Sequence, residues 1–243
     1  ARVFWPAFPR AVVVVVPIHG AIGDGGTRGG REAVVSTLRT VAKDPRVAGV
    51  ILHVESPGGS ALASDLIHRE VVLCAERKPV VASFGEVAAS GGYYVAAPAH
   101  AIVCEPTTIT GSIGVISARV VAERFLERLG IHTEVVRLAP HADLLASPRP
   151  STPAEVALLE RELDAFYRTF VGVVASGRRR DEKDIEPLAR GRVWSGKDAL
   201  ERGLCDRLGG LDAARDEMRT RLPAETKGAA DELVSLYSYD AAG

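Results

Sequence analysis

The sequence is poor in the residues that build metal sites and disulfide frameworks. Its 243 residues include only three cysteines, Cys74, Cys104 and Cys205, and no two of them form a C-x-x-C pair. The six histidines form no H-x-x-x-H pair. These spacings favour neither a zinc site nor a disulfide scaffold. We interpret the cysteines as buried thiols and expect neither a metal nor an organic cofactor.

The net charge is also close to zero, and lysines and long apolar runs are few. Thirty basic residues, only five of them lysine, balance 31 acidic ones, and the pI is about 6.7. Such a chain has no basic field for nucleic acid. The apolar run at residues 11–18 is far shorter than the ~20 residues of a membrane span, and its β-branched residues favour a buried strand. No signal peptide is recognisable, and the abrupt start at Ala1 suits a domain that follows a membrane anchor.

What the chain does contain is a regular alternation of strand and helix patterns. With 47% hydrophobic residues it can bury the core of one α/β domain. Apolar residues at helical spacing occupy residues 31–41 and 62–73. Around them lie four β-rich runs, at residues 12–18, 47–54, 80–84 and 101–104. This alternation predicts a mostly parallel sheet flanked by helices.

The second half of the sequence is predicted to be mainly helical. A helix over residues 120–129 precedes a strand over residues 133–136. Thr152 and Glu155 then have the spacing of a capping box at the start of a long helix. The apolar face of that helix continues to Val173, and we expect it to form core or a subunit interface.

Three glycine-containing turns follow predicted strands, and they are ESPGGS at residues 55–60, ASGGYY at 89–94 and TGSIGV at 110–115. Ligand sites in α/β sheets lie beyond the carboxyl ends of strands, so these turns should line one cleft. Free N–H groups at helix starts attract negative charge. We therefore expect Gly58 and Gly91 to form an oxyanion hole beside Ser90. No turn matches the glycine patterns that bind phosphate.

Four motifs in order, VESPGGS, ASGGYYVAA, TGSIGV and GRVWSGKDALERGLCDRLGG, resemble the signal peptide peptidase family of bacterial and archaeal serine peptidases. The resemblance extends from Val12 to about Ala214. It implies a ClpP/crotonase-like fold of stacked ββα units and a Ser–Lys dyad in which Ser90 is the nucleophile. Gly58 and Gly91 then correspond to the oxyanion donors. The resemblance also implies that a bound peptide is contacted by Pro57, Gly59, Gly111, Ser112 and Ile113.

The same resemblance implies the organisation and the partners of the protein. We expect one peptidase domain over residues 1–222, whose part 152–222 serves self-association into a ring or dome-shaped homo-oligomer. A loosely ordered tail should follow at residues 223–243. The implied substrates are remnant signal peptides and unfolded segments. The implied location is a membrane surface, with the peptidase domain outside the cytoplasm.

The general base is missing from its expected position. A serine hydroxyl needs a base, and in this family a lysine kept neutral by burial takes its proton. The resemblance places Ala142 where that lysine belongs, and no lysine occurs between Arg137 and Arg149. The neighbouring His141 should face away from the cleft if the chain is extended there. The five lysines elsewhere fall in segments away from the predicted cleft.

Two explanations fit this substitution. The first, which we favour because Ser90 and all three turns are intact, is a peptidase whose lysine has been replaced by alanine to give an inactive protein. The second is a natural member that has lost catalysis and acts as an oligomeric peptide-binding scaffold. An acyl-CoA enzyme of the crotonase type is a further alternative. It would need a site for an adenine-nucleotide tail and a catalytic pair of acidic residues in the cleft, where Glu55 and Glu86 are the only candidates.

Overall fold

The computed structural model describes residues 11–23, 30–145, 148–231 and 233–235. The chain divides into two compact units. The larger unit comprises residues 1–114 and 170–243, and the smaller comprises residues 115–169. The sequence predicted a single domain over residues 1–222, and this range includes the whole smaller unit and most of the larger one.

The larger unit is built around an eight-stranded sheet. Its strands are β1 (Val12–His19), β2 (Val47–Ser56), β3 (Val80–Ala89), β4 (Ala101–Cys104), β5 (Ile109–Gly111), β6 (Val193–Ser195), β7 (Arg207–Leu208) and β8 (Leu233–Ser235). The main path runs β6-β5-β3-β2-β1-β8, and β4 pairs with both β3 and β7. All pairs are parallel except that of β5 with β6. The predicted α/β class with a mostly parallel sheet is confirmed, as are the four predicted strands.

Eight α-helices accompany the strands in the described part of the chain. They are α1 (Arg31–Lys43), α2 (Ala61–Ala75), α3 (Gly91–Ala96), α4 (Glu123–Arg128), α5 (Pro153–Arg178), α6 (Glu182–Ile185), α7 (Gly196–Glu201) and α8 (Leu211–Arg221). Two 3₁₀ helices, Glu186–Leu188 and Ala224–Asp231, complete the set. The predicted capping box is present, because Thr152 N–H donates to Glu155 and Glu155 N–H donates to Thr152 Oγ1.

One face of the sheet forms a tightly packed core with α8. Val13, Ile51 and Val81 from three neighbouring strands are fully buried against Met218. A Cβ added at Gly49 would lie 2.5 Å from the Met218 sulfur, so a larger residue there would have to displace the Met218 side chain. This packing holds β2 and β3, whose carboxyl ends carry the first two glycine turns.

Two segments differ from the sequence prediction. The predicted strand at residues 133–136 is wrong, because these residues are exposed and form no strand in the smaller unit. Part of the predicted loose tail has regular structure instead. In the 3₁₀ helix Ala224–Asp231, Ala229 and Ala230 are buried, and β8 pairs with β1 at Val13–Val15. Residues 236–243 of that tail lie outside the described residues.

Among the described residues, no helix combines the length and the apolar character that crossing a membrane requires.

Candidate active site

Ser90 occupies a strained corner between β3 and α3. Its backbone has φ 52° and ψ −121°, a conformation that favours glycine. Two hydrogen bonds hold it there, from Ser90 N–H to Gly111 O (2.9 Å) and from Tyr94 N–H to Ser90 O (2.9 Å). Backbone strain of this kind costs about 1–3 kcal/mol and concentrates at functional sites. A half-buried serine on a sharp strand-to-helix turn has the arrangement of a nucleophile elbow.

The structure brings the Gly58 corner into direct contact with this serine. A Cβ added at Gly58 would lie 2.8 Å from Ser90 Cβ and 2.6 Å from Gly91 N. Gly58 also has a φ of 98°, which a residue with a side chain rarely adopts. The carboxyl ends of β2 and β3 are therefore packed together at this point, with no room for a side chain between them.

The N–H of Gly58, however, is already engaged. It donates to Ser56 Oγ at 3.1 Å, and that hydroxyl donates to Gly20 O at 2.6 Å. In the described part of the chain, no acceptor receives the N–H of Gly59 or of Gly91. These two groups are neighbours, since a Cβ added at Gly91 would lie 3.3 Å from Gly59 N. The free N–H pair next to Ser90 is thus Gly59 with Gly91, whereas the sequence predicted Gly58 with Gly91.

The third glycine turn lies on the other side of Ser90. Gly111 is paired with Ala89 through the β3–β5 register, and Gly111 and Ser112 both have positive φ. Ser112 is partly exposed and donates its N–H to Arg192 O at 2.7 Å. The side chain of Ile113 is fully buried, so the predicted contact of this residue with a peptide would have to involve its backbone. Pro57, in the first turn, is exposed.

Helix α3 is anchored at two tyrosines that directly follow the serine. Tyr93 donates its hydroxyl proton to Leu204 O at 2.7 Å, and Tyr94 donates to Asp65 Oδ1 at 2.8 Å. Burial raises the pKa of both phenols, so they remain neutral donors. These anchors keep the start of α3, and with it Gly91, in place.

Ser56 and Ser64 are site residues that sequence reasoning missed. Ser64 lies in the first turn of α2, and its Oγ is buried with no hydrogen-bond partner among the residues that the structure describes. A Cβ added at Gly91 would lie 2.5 Å from that Oγ, so Ser64 packs against the Gly91 α-carbon. Both serines belong to the stretch SPGGSALAS, but its spacing alone does not show that they face the oxyanion corner.

Glu55 has a structural role in the sheet. Its carboxylate accepts the N–H groups of Glu86 (2.7 Å) and Val87 (3.3 Å), where the register between β2 and β3 shifts. The irregular pairing leaves these two N–H groups without a strand partner, and the side chain replaces it. A carboxylate used in this way is not free for acid–base chemistry, which argues against the acyl-CoA alternative.

Lys78 and Lys183, two lysines of the larger unit, are bonded to groups other than Ser90. Lys78 donates to Val47 O at 2.6 Å and also to Asp44 O, at the amino ends of β2 and β3. That edge of the sheet is opposite to the one carrying Ser90. Burial lowers the pKa of Lys78, but its ammonium group donates hydrogen bonds to these two backbone carbonyls. Lys183 pairs with Asp181 on the surface.

Ala142 is exposed in a turn of the smaller unit. Its N–H approaches Ala139 O at 3.4 Å, and the preceding His141 has a φ of 63°. The chain is therefore turned here, and the expectation that His141 and residue 142 face opposite ways along an extended segment does not apply. His141 Nδ1 lies 3.6 Å from Glu155 Oε1.

A buried ion cluster holds this turn in shape. The Arg149 guanidinium donates to Glu155 at 2.8 and 2.6 Å and to Asp143 at 3.1 Å. Arg137 donates to Asp143 at 3.0 Å. Hydrogen bonds from Arg149 and Thr152 lower the pKa of Glu155. Burial alone would raise the pKa of Asp143, but Arg137 and Arg149 outweigh it and the pKa is lowered.

Within the described ranges, no group of three His, Cys, Asp or Glu side chains could hold a metal ion.

Comparison with known proteins identifies relatives with protease names. Residues 73–225 match the model of Peptidase family S49. The chain is 42% identical to the chloroplastic serine protease SPPA of Arabidopsis thaliana, covering 86% of this chain and 31% of the relative. It is 38% identical to Protease 4 of Salmonella typhi, covering 86% and 34%. It is 30% identical to a putative signal peptide peptidase SppA of Enterococcus faecium, covering 95% and 68%. The chain thus spans about a third of the length of the first two relatives.

Proposed function

Since the chain belongs to Peptidase family S49, we propose that it is a serine endopeptidase domain in which Ser90 is the nucleophile. The observation that carries this proposal is the contact of the Gly58 corner with Ser90 and Gly91, with distances of 2.6 to 2.8 Å from a Cβ added at Gly58. The strained backbone of Ser90 supports the same role, because it presents the serine at the start of α3.

The proposed chemistry begins with attack of Ser90 Oγ on a peptide carbonyl carbon. The carbonyl oxygen becomes an oxyanion, which accepts hydrogen bonds from Gly91 N–H and from the glycine corner of the first turn. Gly59 is the donor we assign there, because the Gly58 N–H is bonded to Ser56. Each such donor contributes ~3 kcal/mol to stabilising the transition state. The amine then leaves, and water hydrolyses the ester formed on Ser90.

The proton of Ser90 needs an acceptor that residue 142 does not supply in this chain. By resemblance, a lysine at this position would take the proton and return it to the leaving amine. Alanine has no such group, and the loss of a base costs several kcal/mol of barrier, on the order of 10³–10⁴ in rate or more. We therefore propose that the chain as it stands turns over slowly or not at all.

The proposed substrates are peptides with small or apolar side chains next to the cleaved bond. Remnant signal peptides fit this description, and the name of the Enterococcus relative, a putative signal peptide peptidase, supports that class. We also propose self-association into a homo-oligomer at a membrane surface. The exposed apolar residues of the smaller unit, among them Ile116 and Leu138, are available for such contacts.

The test compares the present chain with Ala142→Lys. We expect Ala142→Lys to cleave a chromogenic peptide and to be labelled at Ser90 by a fluorophosphonate, and the present chain to do neither. The matched control is Ser90→Ala in the Ala142→Lys background, which should abolish both signals. Labelling and turnover in the present chain equal to those of Ala142→Lys would show that the base lies elsewhere. Peptide binding by Ala142→Lys without any adduct at Ser90 would support the scaffold alternative.

A further inference from the structure

Two of the three cysteines face each other in the interior of the larger unit. Cys104 Sγ and Cys205 Sγ are 3.0 Å apart, and both side chains are almost completely buried. A disulfide bond is 2.03–2.05 Å long, so the sulfur atoms are about 1 Å from bonding distance. The third cysteine, Cys74, is buried in α2.

The backbone, rather than a side-chain rotamer alone, brings these thiols together. Cys104 ends β4, and Cys205 lies in the turn that leads into β7, the strand paired with β4. Backbone hydrogen bonds flank the pair on both sides, from Asp206 N–H to Ile102 O (2.8 Å) and from Gly209 N–H to Cys104 O (2.9 Å). The Asp206 carboxylate also accepts the N–H of Ile102 at 2.7 Å. Because the two segments are fixed on each side of the thiols, the sulfur atoms cannot easily separate.

We propose that Cys104 and Cys205 form a reversible intramolecular disulfide when the protein meets a disulfide oxidant. The proposal does not depend on the peptidase activity. It goes beyond the sequence-based interpretation, in which all three cysteines are buried thiols.

The exchange proceeds in two balanced steps. Cys104 donates its S–H to Cys205, which lowers the pKa of the Cys205 thiol, so Cys205 is the first thiolate. After losing its proton to solvent, it attacks one sulfur of the oxidant, whose S–S bond breaks and releases one thiol. Cys104 then loses its proton, attacks Cys205 Sγ and releases the second thiol. The two cysteines lose two protons and two electrons, and the oxidant becomes two thiols.

Burial determines when the exchange takes place. Cys205 is 3% exposed and Cys104 is not exposed at all, so the oxidant reaches them during folding or when the turn before β7 opens. Once formed, the bond closes a loop that contains the whole smaller unit. It also restrains the Leu204 carbonyl, which accepts the hydroxyl proton of Tyr93 in the helix that begins after Ser90.

The experiment incubates the whole chain with glutathione disulfide and then counts free thiols. After denaturation, N-ethylmaleimide should alkylate one of three cysteines in the oxidised protein and all three after treatment with dithiothreitol. Peptide mapping should recover one crosslinked pair that joins Cys104 to Cys205. The thermal midpoint of the oxidised protein should exceed that of the reduced protein by about 5–10 °C, since a loop of this size is strongly restrained.

The variants Cys74→Ala and Cys205→Ala are the matched controls. Cys74→Ala should still lose both remaining thiols on oxidation, whereas Cys205→Ala should keep both of its own. The comparison of the oxidised with the reduced form of the present chain needs no variant, so a folding failure of Cys205→Ala does not affect the outcome. Three alkylated cysteines after oxidation, a crosslink to Cys74, or a crosslink between two chains would each overturn the proposal.

Discussion

Gly58 and Ser90 constrain each other through a contact that leaves no space for a side chain. A Cβ at position 58 would lie 2.8 Å from Ser90 Cβ and 2.6 Å from Gly91 N. These distances are shorter than Cβ contacts found in proteins, and the neighbours at Gly91 and Ala89 O are backbone atoms that cannot rotate away. Any residue larger than glycine at position 58 must therefore displace the nucleophile, the oxyanion corner, or both.

The substitution Gly58→Ala should lower both stability and reactivity. Alanine at a φ of 98° and in contact with Gly91 N should reduce the free energy of unfolding by about 1–3 kcal/mol. In the Ala142→Lys background it should reduce fluorophosphonate labelling of Ser90 by tenfold or more. The control is Gly228→Ala, because no atom of the described part of the chain lies within 4 Å of a Cβ added at Gly228. Equal labelling rates in the two variants would contradict the contact-based account of the site.

Two substitutions of Ser90 can distinguish the backbone strain at this position from the role of its hydroxyl in the reaction. The backbone of Ser90 lies in a region where glycine is relaxed and alanine is not. Ser90→Gly should therefore unfold at a higher denaturant concentration than Ser90→Ala, with a difference of about 1 kcal/mol in the free energy of unfolding. In the Ala142→Lys background, both variants should lose fluorophosphonate labelling completely. If Ser90→Gly were the less stable of the two, the backbone conformation of Ser90 would not lower the stability of the protein.

The features that the sequence predicts well are those with a strong local pattern. Four apolar runs become strands in the predicted order, and Thr152 with Glu155 forms the predicted cap, because β-branched runs and capping spacings act locally. The adjacency of Gly58 and Ser90 could also be anticipated, since both follow the carboxyl ends of neighbouring parallel strands.

Other features depend on contacts that no single segment encodes. The Gly58 N–H donates to Ser56, which leaves the N–H of the adjacent Gly59 as the proposed oxyanion donor. Which of the two glycines has the free N–H depends on the geometry of the turn. The predicted strand at 133–136 is wrong because a short β-prone run still needs a neighbouring strand to pair with, and the described residues of the smaller unit form none. The short β8 has too few residues for a recognisable pattern, and it forms because β1 has a free edge beside it.

The role of Glu55 can be tested against its exposed neighbour Glu86. Glu55→Ala should lower the free energy of unfolding by about 1–3 kcal/mol, because two backbone N–H groups lose their acceptor. Glu55→Gln keeps one acceptor oxygen and should lose less. In the Ala142→Lys background both should keep Ser90 labelling above half of its original rate. Glu86→Ala should change stability by no more than about 0.5 kcal/mol. Loss of labelling in a folded Glu55→Gln would restore the acid–base role that the acyl-CoA alternative requires.

Acid should loosen the turn that carries residue 142 before it unfolds the sheet. Hydrogen bonds from Arg149 lower the pKa of Glu155, so its contribution to stability is complete above its ordinary pKa of 4.5 and is lost as pH falls towards the lower pKa of the folded state. Hydrogen exchange should therefore accelerate in residues 137–145 and 148–155 as pH falls below about 4, after correction for the intrinsic pH dependence of exchange. Glu155→Gln should show fast exchange in these residues already at neutral pH, with a weaker dependence on acid. Glu160→Gln, on the exposed part of the same helix, should follow the unmodified chain. If Glu155→Gln exchanged as slowly as Glu160→Gln at every pH, the ion cluster would not be what orders this turn.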